Sequence, residues 1–172
     1  MGIYTTTTAT DVRTATVGMG EMLFAEKPDL LSCVGLGSCI GLVLYDPVRG
    51  WAGMAHIMLP SSSSRGSQGK DKPGKFADTA VSALIVGLES KGSLRTFLRA
   101  KMAGGARMFA FSPTPSGAIG EQNILATREA LRFAGIRLEA EETGGTKGRS
   151  VSFSTETLLM EVRCVGQEKR TL

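Results

Sequence analysis

The sequence predicts an α/β sandwich in which two main helices cover a mixed β-sheet. Short apolar segments bounded by glycine, proline or aspartate recur along the chain, and such segments are typical of strands. Two longer segments instead carry apolar residues at helical spacing. The chain has 172 residues, of which 42% are hydrophobic and 21% charged, and this length is sufficient to enclose the core of one globular domain.

The first third of the chain is predicted to form strands. We expect one strand near residues 14–19 and a second that begins near Leu31, with a turn at 27–29 between them. The apolar segment 40–45 and the segment 51–59 flank an Asp-Pro-Val-Arg-Gly turn. This pattern predicts a hairpin of two paired, buried strands.

The two helices are predicted in the second half of the chain. The first has apolar residues at helical spacing and ends before Gly92, and its apolar residues are Val81, Leu84, Ile85 and Leu88. The second spans about 120–134 and precedes Gly135, which stands where a C-cap glycine is expected. Further strands are expected at 94–102, 136–140, 151–153 and 158–165, about seven strands in all.

Residues 60–75 are rich in serine, glycine and lysine and show no periodicity. A loop of this length inside a compact domain is often a lid or a binding loop. The alternative is a solvated connector between the hairpin and the first helix.

We expect the domain to span residues 14–166, with a flexible leader at 1–13 and a flexible tail at 167–172. The longest apolar run, 40–45, contains Gly41 and is far shorter than the roughly 20 residues that cross a bilayer, so no membrane insertion is predicted. The three cysteines are an odd number, and the N-terminal segment lacks the apolar region of an export signal. These features predict a cytoplasmic protein with reduced thiols.

The charge is moderately basic. Twenty Lys and Arg residues against 16 Asp and Glu give a formal net charge of +4. The basic residues are scattered along the chain and form no run of the kind that binds nucleic acid. The charge would favour a partner with an acidic surface.

Cys39 and His56 are the candidate catalytic residues. Cys39 ends the segment Gly-Leu-Gly-Ser-Cys, in which the glycines allow a sharp bend that exposes a thiol, and His56 is the one histidine of the chain. In the predicted hairpin the start of the first strand faces the end of the second, so Cys39 and His56 meet at one end of the sheet. A neighbouring imidazole can take the proton of a thiol that then attacks an acyl carbon. The backbone N–H of Cys39, in a bend with Ser38, can donate to the oxyanion.

Two other interpretations of these residues remain open. Cys39 can be a small buried side chain and His56 a core histidine. A zinc site is a further alternative, although no Cys-x-x-Cys pair supports it; its ligands would be Cys33, Cys39, His56 and Cys164.

Several ordered blocks of the sequence resemble the CheD family of chemoreceptor glutamine deamidases. The resemblance extends from about residue 17 to residue 165. The blocks that carry it are GLGSC at 35–39, GMAHIMLP at 53–60, KPGKFADTA at 72–80, AKMAGGA at 100–106, Ile119-Gly120 with Asn123, and TGG at 143–145 followed by GRSV at 148–151.

The resemblance implies an α/β sandwich related to the catalytic domain of cytotoxic necrotizing factor toxins. It implies hydrolysis of receptor glutamine side chains to glutamate through a cysteine thioester, and in some members receptor methylesterase activity, with no metal or organic cofactor. The nucleophile of the family falls on Cys39 and its general base on His56. A threonine that orients the histidine is common six residues before the nucleophile, and this chain has Cys33 there. We therefore expect Cys33 to act, if it contributes, through its main chain.

The resemblance also implies partners. These are methyl-accepting chemotaxis receptors as substrate and the phosphatase CheC, which binds the deamidase in many organisms. Three cations of the 60–75 loop, Arg65, Lys70 and Lys72, are candidates for guiding an acidic receptor helix. Two alternatives stay open at this point, namely another thiol amidohydrolase or transglutaminase-like enzyme, and a non-catalytic adaptor that binds the receptor or CheC.

Overall fold

The computed structural model describes residues 3–7, 12–63, 72–108 and 119–172. Within these ranges the chain forms eleven strands and two α-helices, in the order β1 (Ile3–Thr7), β2 (Val12–Val17), β3 (Met22–Glu26), β4 (Leu30–Leu36), β5 (Ile40–Asp46), β6 (Trp51–Ile57), α1 (Ala77–Glu89), β7 (Arg99–Gly104), α2 (Ile119–Ala134), β8 (Arg137–Thr143), β9 (Arg149–Ser154), β10 (Met160–Cys164) and β11 (Arg170–Thr171). The expected α/β class with two helices is confirmed.

The strands form two mixed sheets. The first has the order β1-β2-β4-β9-β10-β11 and the second the order β3-β6-β5-β7-β8. Each sheet contains one parallel pair, β2 with β4 and β7 with β8. A mixed sheet system was expected, and its division into two sheets is a finding of the structure.

The predicted hairpin is confirmed as β5 and β6, which pair from Ile40 opposite Ile57 to Asp46 opposite Trp51. The Asp46 carboxylate stabilises the turn, because its Oδ1 accepts the N–H groups of Val48 at 2.9 Å and Arg49 at 3.1 Å. Residues 58 and 59 lie beyond the end of β6, where Leu59 forms an isolated bridge to Phe76.

β5 is buried on both faces and separates two apolar cores. Ile40, Leu42 and Leu44 face a core formed with the two helices. Val43 and Tyr45 face a second core that lies between the two sheets. A strand that is covered on both faces is apolar at successive positions rather than at alternate ones, and this explains the continuous apolar run 40–45.

The two helices pack against the outer face of the second sheet and against each other. The apolar stripe of α1 is buried as predicted, and it comprises Ala77, Ala80, Val81, Leu84, Ile85 and Leu88. α2 ends at Ala134 and is followed by Gly135 with φ +70°, the left-handed conformation of a C-cap glycine. Neither helix, within the ranges described, has the length and apolar content to cross a membrane.

Eight strands correspond to predicted segments and three further strands were not predicted, so the described residues form eleven strands rather than about seven. β3 lies at an edge of the second sheet and pairs with β6. The expected leader contributes β1 to the first sheet, and residues 170–171 of the expected tail form β11 beside β10. Leu172 also exchanges two backbone hydrogen bonds with Met160, at 3.0 and 2.9 Å, so the end of the expected tail is paired with β10. β3 depends on pairing with the distant strand β6, for which a local pattern gives no signal, whereas β1 and β11 each pair with the neighbouring strand in the chain.

One predicted strand begins later than expected. Residues 95–97 form a 3₁₀ turn rather than the start of the 94–102 strand, and β7 occupies 99–104. The 60–75 segment is described at its ends, where Pro73–Lys75 forms another 3₁₀ turn. Residues 64–71 of this predicted loop lie outside the described residues.

Candidate active site

The bend between β4 and β5 carries Cys39, and its carbonyl groups are held from one side. The Ala106 N–H donates to the Gly37 carbonyl at 2.8 Å, and the Gly105 N–H donates to the Cys39 carbonyl at 2.8 Å. The Ser38 carbonyl between them accepts Nδ2 of Asn123 at 2.9 Å. The glycine-rich segment therefore forms the sharp bend expected from sequence, and Cys39 is half-buried in it.

His56 is the last residue but one of β6, and it lies directly opposite Gly41 on β5. A Cβ at Gly41 would lie 2.9 Å from Leu36 Cδ1 and 3.7 Å from Cys33 Cβ, so this face of the hairpin looks into the core between the sheets. Residues directly opposite in a ladder present their side chains on the same face, and the His56 imidazole therefore shares this space.

Cys39 packs against the same inter-sheet core. Cys39 precedes Ile40, which pairs with Ile57, so Cys39 and His56 stand at diagonal positions of the hairpin end. Diagonal positions are about 7–8 Å apart in a regular ladder, within reach of long side chains. The structure thus brings the two residues to the same end of the second sheet.

Cys33 is fully buried on β4, on the side of that strand which faces the site. Its Sγ donates to the Val17 carbonyl at 3.8 Å. Burial, together with the charge of nearby Cys39, raises the pKa of Cys33 to about 12. Cys33 therefore stays a neutral thiol at physiological pH and is unsuited to the role of nucleophile.

The pKa of His56 reflects its burial and one nearby main-chain group, the Val17 carbonyl. Burial lowers the pKa of His56, and the Val17 carbonyl opposes this effect more weakly. Val17 pairs with Cys33 in the parallel β2–β4 ladder. From the sequence we expected the main chain of Cys33 to orient the histidine. The structure instead offers the carbonyl of Val17, on the strand beside Cys33, as the candidate.

Both imidazole nitrogens of His56 are buried, and neither makes a hydrogen bond of normal geometry in the described part of the chain, so the Val17 carbonyl acts on the imidazole only as a weaker contact. A buried polar atom without a partner costs free energy, and such groups are uncommon unless a site requires them. Burial also raises the pKa of the Cys39 thiol. The two shifts favour a neutral thiol beside a neutral imidazole, which is the proton arrangement of a general-base pair.

Two backbone donors of the bend have no acceptor among the described residues. Neither the Ser38 N–H nor the Cys39 N–H donates a hydrogen bond within the described ranges. Adjacent free N–H groups beside a thiol can stabilise the negative oxygen of a tetrahedral intermediate.

A surface cavity of about 630 Å³ borders the bend. Gly37 lines it, and Met108 covers Gly37 so closely that a Cβ there would lie 3.0 Å from Met108 Cγ. Val34, Lys147, Arg163 and Val165 contribute a partly apolar, partly basic wall. Neither Cys39 nor His56 lines this cavity, which therefore adjoins the pair rather than containing it.

The cationic loop is described in part. Arg65 and Lys70 lie outside the described residues. Lys72 is exposed, and its Cδ is 3.6 Å from the place that a Cβ on Gly20 would occupy. The Gly20 N–H donates to the His56 carbonyl at 3.1 Å, so Lys72 borders the turn that supports the strand of His56.

The zinc interpretation finds no support in the geometry. Cys164 lies at the end of β10, where its Sγ is 3.8 Å from Glu142 Oε1. Among the described residues, no three His, Cys, Asp or Glu side chains are grouped so that they could hold a metal ion.

Sequence reasoning did not assign roles to Val17 or Asn123. Asn123 is fully buried in α2, and its Nδ2 bonds both the Ser38 carbonyl and the Met58 carbonyl, the latter at 3.0 Å. The available signal for Asn123 was its position on the helix face that also carries Ile124 and Leu131. Val17 gave none, because its contribution comes from the main chain.

Fold and site together define a two-sheet α/β protein with a half-buried thiol and a buried imidazole at one end of a hairpin. A family model described as "CheD chemotactic sensory transduction" matches residues 58–164. The chain is 46% identical over 165 residues to "Probable chemoreceptor glutamine deamidase CheD" of Symbiobacterium thermophilum, covering 94% of this chain and 99% of that relative. The chain belongs to the CheD family.

Two further relatives carry the name "Chemoreceptor glutamine deamidase CheD". The protein of Halalkalibacterium halodurans is 43% identical over 157 residues, covering 91% of this chain and 96% of the relative. The protein of Bacillus subtilis is 39% identical over 157 residues, covering 91% and 94%. Both alignments extend well beyond the segment that the family model matches.

Among solved structures, the Bacillus licheniformis hypothetical protein YfiH superposes with a TM-score of 0.46 at 18% identity, covering 72% of this chain and 50% of that one. The expected relation to the catalytic domain of cytotoxic necrotizing factor toxins stays a prediction.

Proposed function

We propose that this protein hydrolyses glutamine side chains of methyl-accepting chemotaxis receptors to glutamate, with Cys39 as nucleophile and His56 as general base. The observation that carries the proposal is the placement of both residues at one end of the β5–β6 hairpin, on the face that looks between the sheets. The names of the relatives supply the substrate class, since they are described as chemoreceptor glutamine deamidases.

The reaction that we propose has two halves. His56 takes the proton of the Cys39 thiol as the sulfur adds to the carboxamide carbon, and the imidazolium then protonates the departing ammonia. Water, deprotonated by the same imidazole, hydrolyses the thioester and releases glutamate and the free thiol. The atoms balance with water as the one co-reactant, so the scheme needs no cofactor.

The free N–H groups of Ser38 and Cys39 are the proposed oxyanion donors. The Val17 carbonyl is the proposed orienting group for the imidazole, and Cys33 on the paired strand supports that carbonyl through its 3.8 Å contact. In this scheme Cys33 helps to position the Val17 carbonyl and takes no part in the chemical steps.

The proposal extends to a second activity and to the recognition of partners. A receptor methyl ester is a better acyl donor than an amide, so a Cys39 thioester also permits methylesterase activity. Arg65, Lys70 and Lys72 would guide an acidic receptor segment to the site, and the same surface would receive CheC in cells that contain it.

Mass spectrometry of receptor fragments tests the proposal. Wild-type protein should convert specific glutamines to glutamates, whereas Cys39→Ala should convert none and the matched control Cys164→Ala should behave as wild type. A product that carries an added amine would identify a transglutaminase-like enzyme instead. Receptor binding without any mass change, for wild-type protein as for Cys39→Ala, would identify an adaptor.

A further inference from the structure

Asn123 joins the bend that carries Cys39 to the strand that carries His56. It is fully buried in the second turn of α2, and its Nδ2 donates to the Ser38 carbonyl at 2.9 Å and to the Met58 carbonyl at 3.0 Å. These carbonyls belong to the residue before Cys39 and to the second residue after His56. One amide group therefore bridges the two halves of the candidate active site.

The bond to Ser38 sets the direction of the next N–H. A trans peptide is planar, and its C=O and N–H point to opposite sides. The Ser38 carbonyl and the Cys39 N–H share one peptide, so a carbonyl held toward α2 directs the Cys39 N–H away from α2. That N–H is one of the two free donors of the bend.

Asn123 differs from the other two anchors of the bend. The carbonyls of Gly37 and Cys39 are held by backbone N–H groups, those of Ala106 and Gly105. The Ser38 carbonyl is the one of the three that a side chain holds. A substitution can therefore remove this anchor without altering the backbone of the neighbouring segment.

The start of α2 packs tightly against the loop after β7, and this packing fixes the position of Asn123. A Cβ at Gly120 would lie 2.6 Å from the Gly105 carbonyl oxygen and 2.8 Å from the Ala106 carbonyl oxygen, so helix and loop are in direct backbone contact. The amide is thus held by a rigid support rather than by a mobile loop.

We infer that Asn123 is a positioning residue, which orients the Ser38–Cys39 peptide so that the Cys39 N–H stabilises the oxyanion of the tetrahedral intermediate. The inference rests on the proposed acyl chemistry at Cys39. It assigns Asn123 no contact with the substrate. Loss of one oxyanion donor lowers rates by about 10²–10³-fold in a well-studied protease, and this sets the scale of the expected effect.

Asn123→Asp is the sharpest variant, because it keeps the size of the side chain but replaces the donor by an acceptor that faces two carbonyls. Asn123→Ala is the second variant, to be used if the aspartate variant does not fold. In Asn123→Ala the two carbonyls lose a hydrogen-bond donor but do not face a repulsive acceptor. Thr127→Val is the matched control, since it removes a buried hydroxyl of the same helix that bonds only the Asn123 carbonyl.

Two reactions of Cys39 separate positioning from simple damage. Acylation by p-nitrophenyl acetate passes through an oxyanion, whereas alkylation by iodoacetamide does not. We expect either Asn123 variant to slow acylation by about tenfold or more while alkylation changes by less than about twofold. Thr127→Val should leave both rates close to those of wild type.

The inference is overturned if acylation is unaffected in both variants, or if acylation and alkylation fall together. It is also overturned if the wild-type protein is alkylated at Cys39 but not acylated by the ester. Because the ester assay uses no receptor, a wild-type protein that is acylated normally but leaves receptor glutamines unchanged would refute the proposed function and not the role of Asn123.

Discussion

Gly104 lies against the carbonyl group of Cys39, so closely that a Cβ at Gly104 would stand 2.1 Å from the Cys39 oxygen. Gly104 ends β7 with φ +124°, and the next residue, Gly105, donates its N–H to the same oxygen. The end of β7 thus acts as a backbone support for the residue that we propose as nucleophile. This contact, the hairpin geometry and the protonation of the pair each give a testable prediction.

Gly104→Ala should displace the Cys39 carbonyl and with it the bend, because the oxygen is backbone and cannot move aside alone. A shift of about 1 Å at a reacting group can cost about 10²-fold in rate, so acylation of Cys39 by an activated ester should fall strongly. Gly92→Ala is the control, since Gly92 also has a positive φ, +88°, but has open space around it. It should lose about 1–3 kcal/mol of stability through backbone strain and keep its activity. A Gly104→Ala protein that is acylated at the wild-type rate would contradict the prediction.

Cys39→Ala and Cys39→Ser should abolish deamidation and leave the fold intact, because a serine beside one imidazole is not activated as a thiol is. Circular dichroism and thermal melting check the fold, and conversion of receptor glutamines checks the activity. Near-wild-type conversion by either variant would show that Cys39 is not the nucleophile.

Native labelling should distinguish the three cysteines. Cys33 is fully buried and its pKa is raised to about 12, so iodoacetamide should modify it only after unfolding. The double variant Cys33→Ala, Cys164→Ala should still be labelled once, at Cys39. Peptide mapping reads the sites, and native modification of Cys33 in the wild-type protein would contradict the burial that the fold assigns to it.

The pH profile of alkylation should identify His56 as the base. Burial raises the pKa of Cys39 and lowers that of His56, so the resting pair is neutral and the thiolate forms in alkaline solution. Wild-type alkylation should therefore rise continuously with pH. His56→Gln should slow alkylation at about pH 7, where the base is needed, and have little effect at about pH 10, where hydroxide forms the thiolate. Equal profiles for both proteins would mean that His56 acts later in the reaction or only in the fold.

The same histidine should make the protein less stable in mild acid. Burial in the folded protein lowers the pKa of His56 below the ordinary histidine value of about 6.5. As pH falls through that ordinary value, the unfolded chain gains a proton that the folded protein resists. The free energy of unfolding should therefore decrease below about pH 6.5, down to the lower pKa of the folded state. His56→Gln should lack this component, and denaturant unfolding of both proteins between pH 8 and pH 5 measures the difference. Parallel curves for the two proteins would contradict the burial of an uncharged imidazole.

Neutralising the loop cations Arg65, Lys70 and Lys72 together should raise the apparent KM for receptor, weaken the salt dependence of the rate and leave alkylation of Cys39 unchanged. The physical reason is electrostatic attraction between these side chains and an acidic receptor segment. Steady-state kinetics at low and high ionic strength measure the effect.

The control for the loop variant removes equal charge at the opposite end of the second sheet. Arg99 on β7 pairs with Arg137 on β8 at that end, whereas Gly104 marks the end that holds the site. The control substitutes alanine for Arg95, Arg132 and Arg137, all of which are exposed. If both triple variants shift KM equally at low salt, the effect on receptor binding comes from net charge alone and not from the loop. If neither variant shifts KM, the loop is a connector.

The local pattern of the chain was sufficient for the hairpin and both helices. The Asp-Pro-Val-Arg-Gly turn sets the register of β5 against β6, and that register alone predicts that Cys39 and His56 meet at one end of a sheet. The helical stripe of α1 and the C-cap at Gly135 are equally local features. In each case the determining residues lie within a few positions of one another, where steric and hydrogen-bond preferences act directly.

The tertiary structure decided which groups surround the pair. Val17 lies beside Cys33 because β2 pairs in parallel with β4, and Asn123 reaches the bend from 85 residues away along the chain. The edge strand β3 likewise depends on a distant partner, because it pairs with β6. A backbone carbonyl such as that of Val17 has the same chemistry at every position, so no residue type indicates its role. The sequence by itself determined the thiol, the imidazole and their common end of the hairpin. The groups that surround and hold these two residues come together only when the two sheets and α2 pack, because those contacts join segments that no local pattern connects.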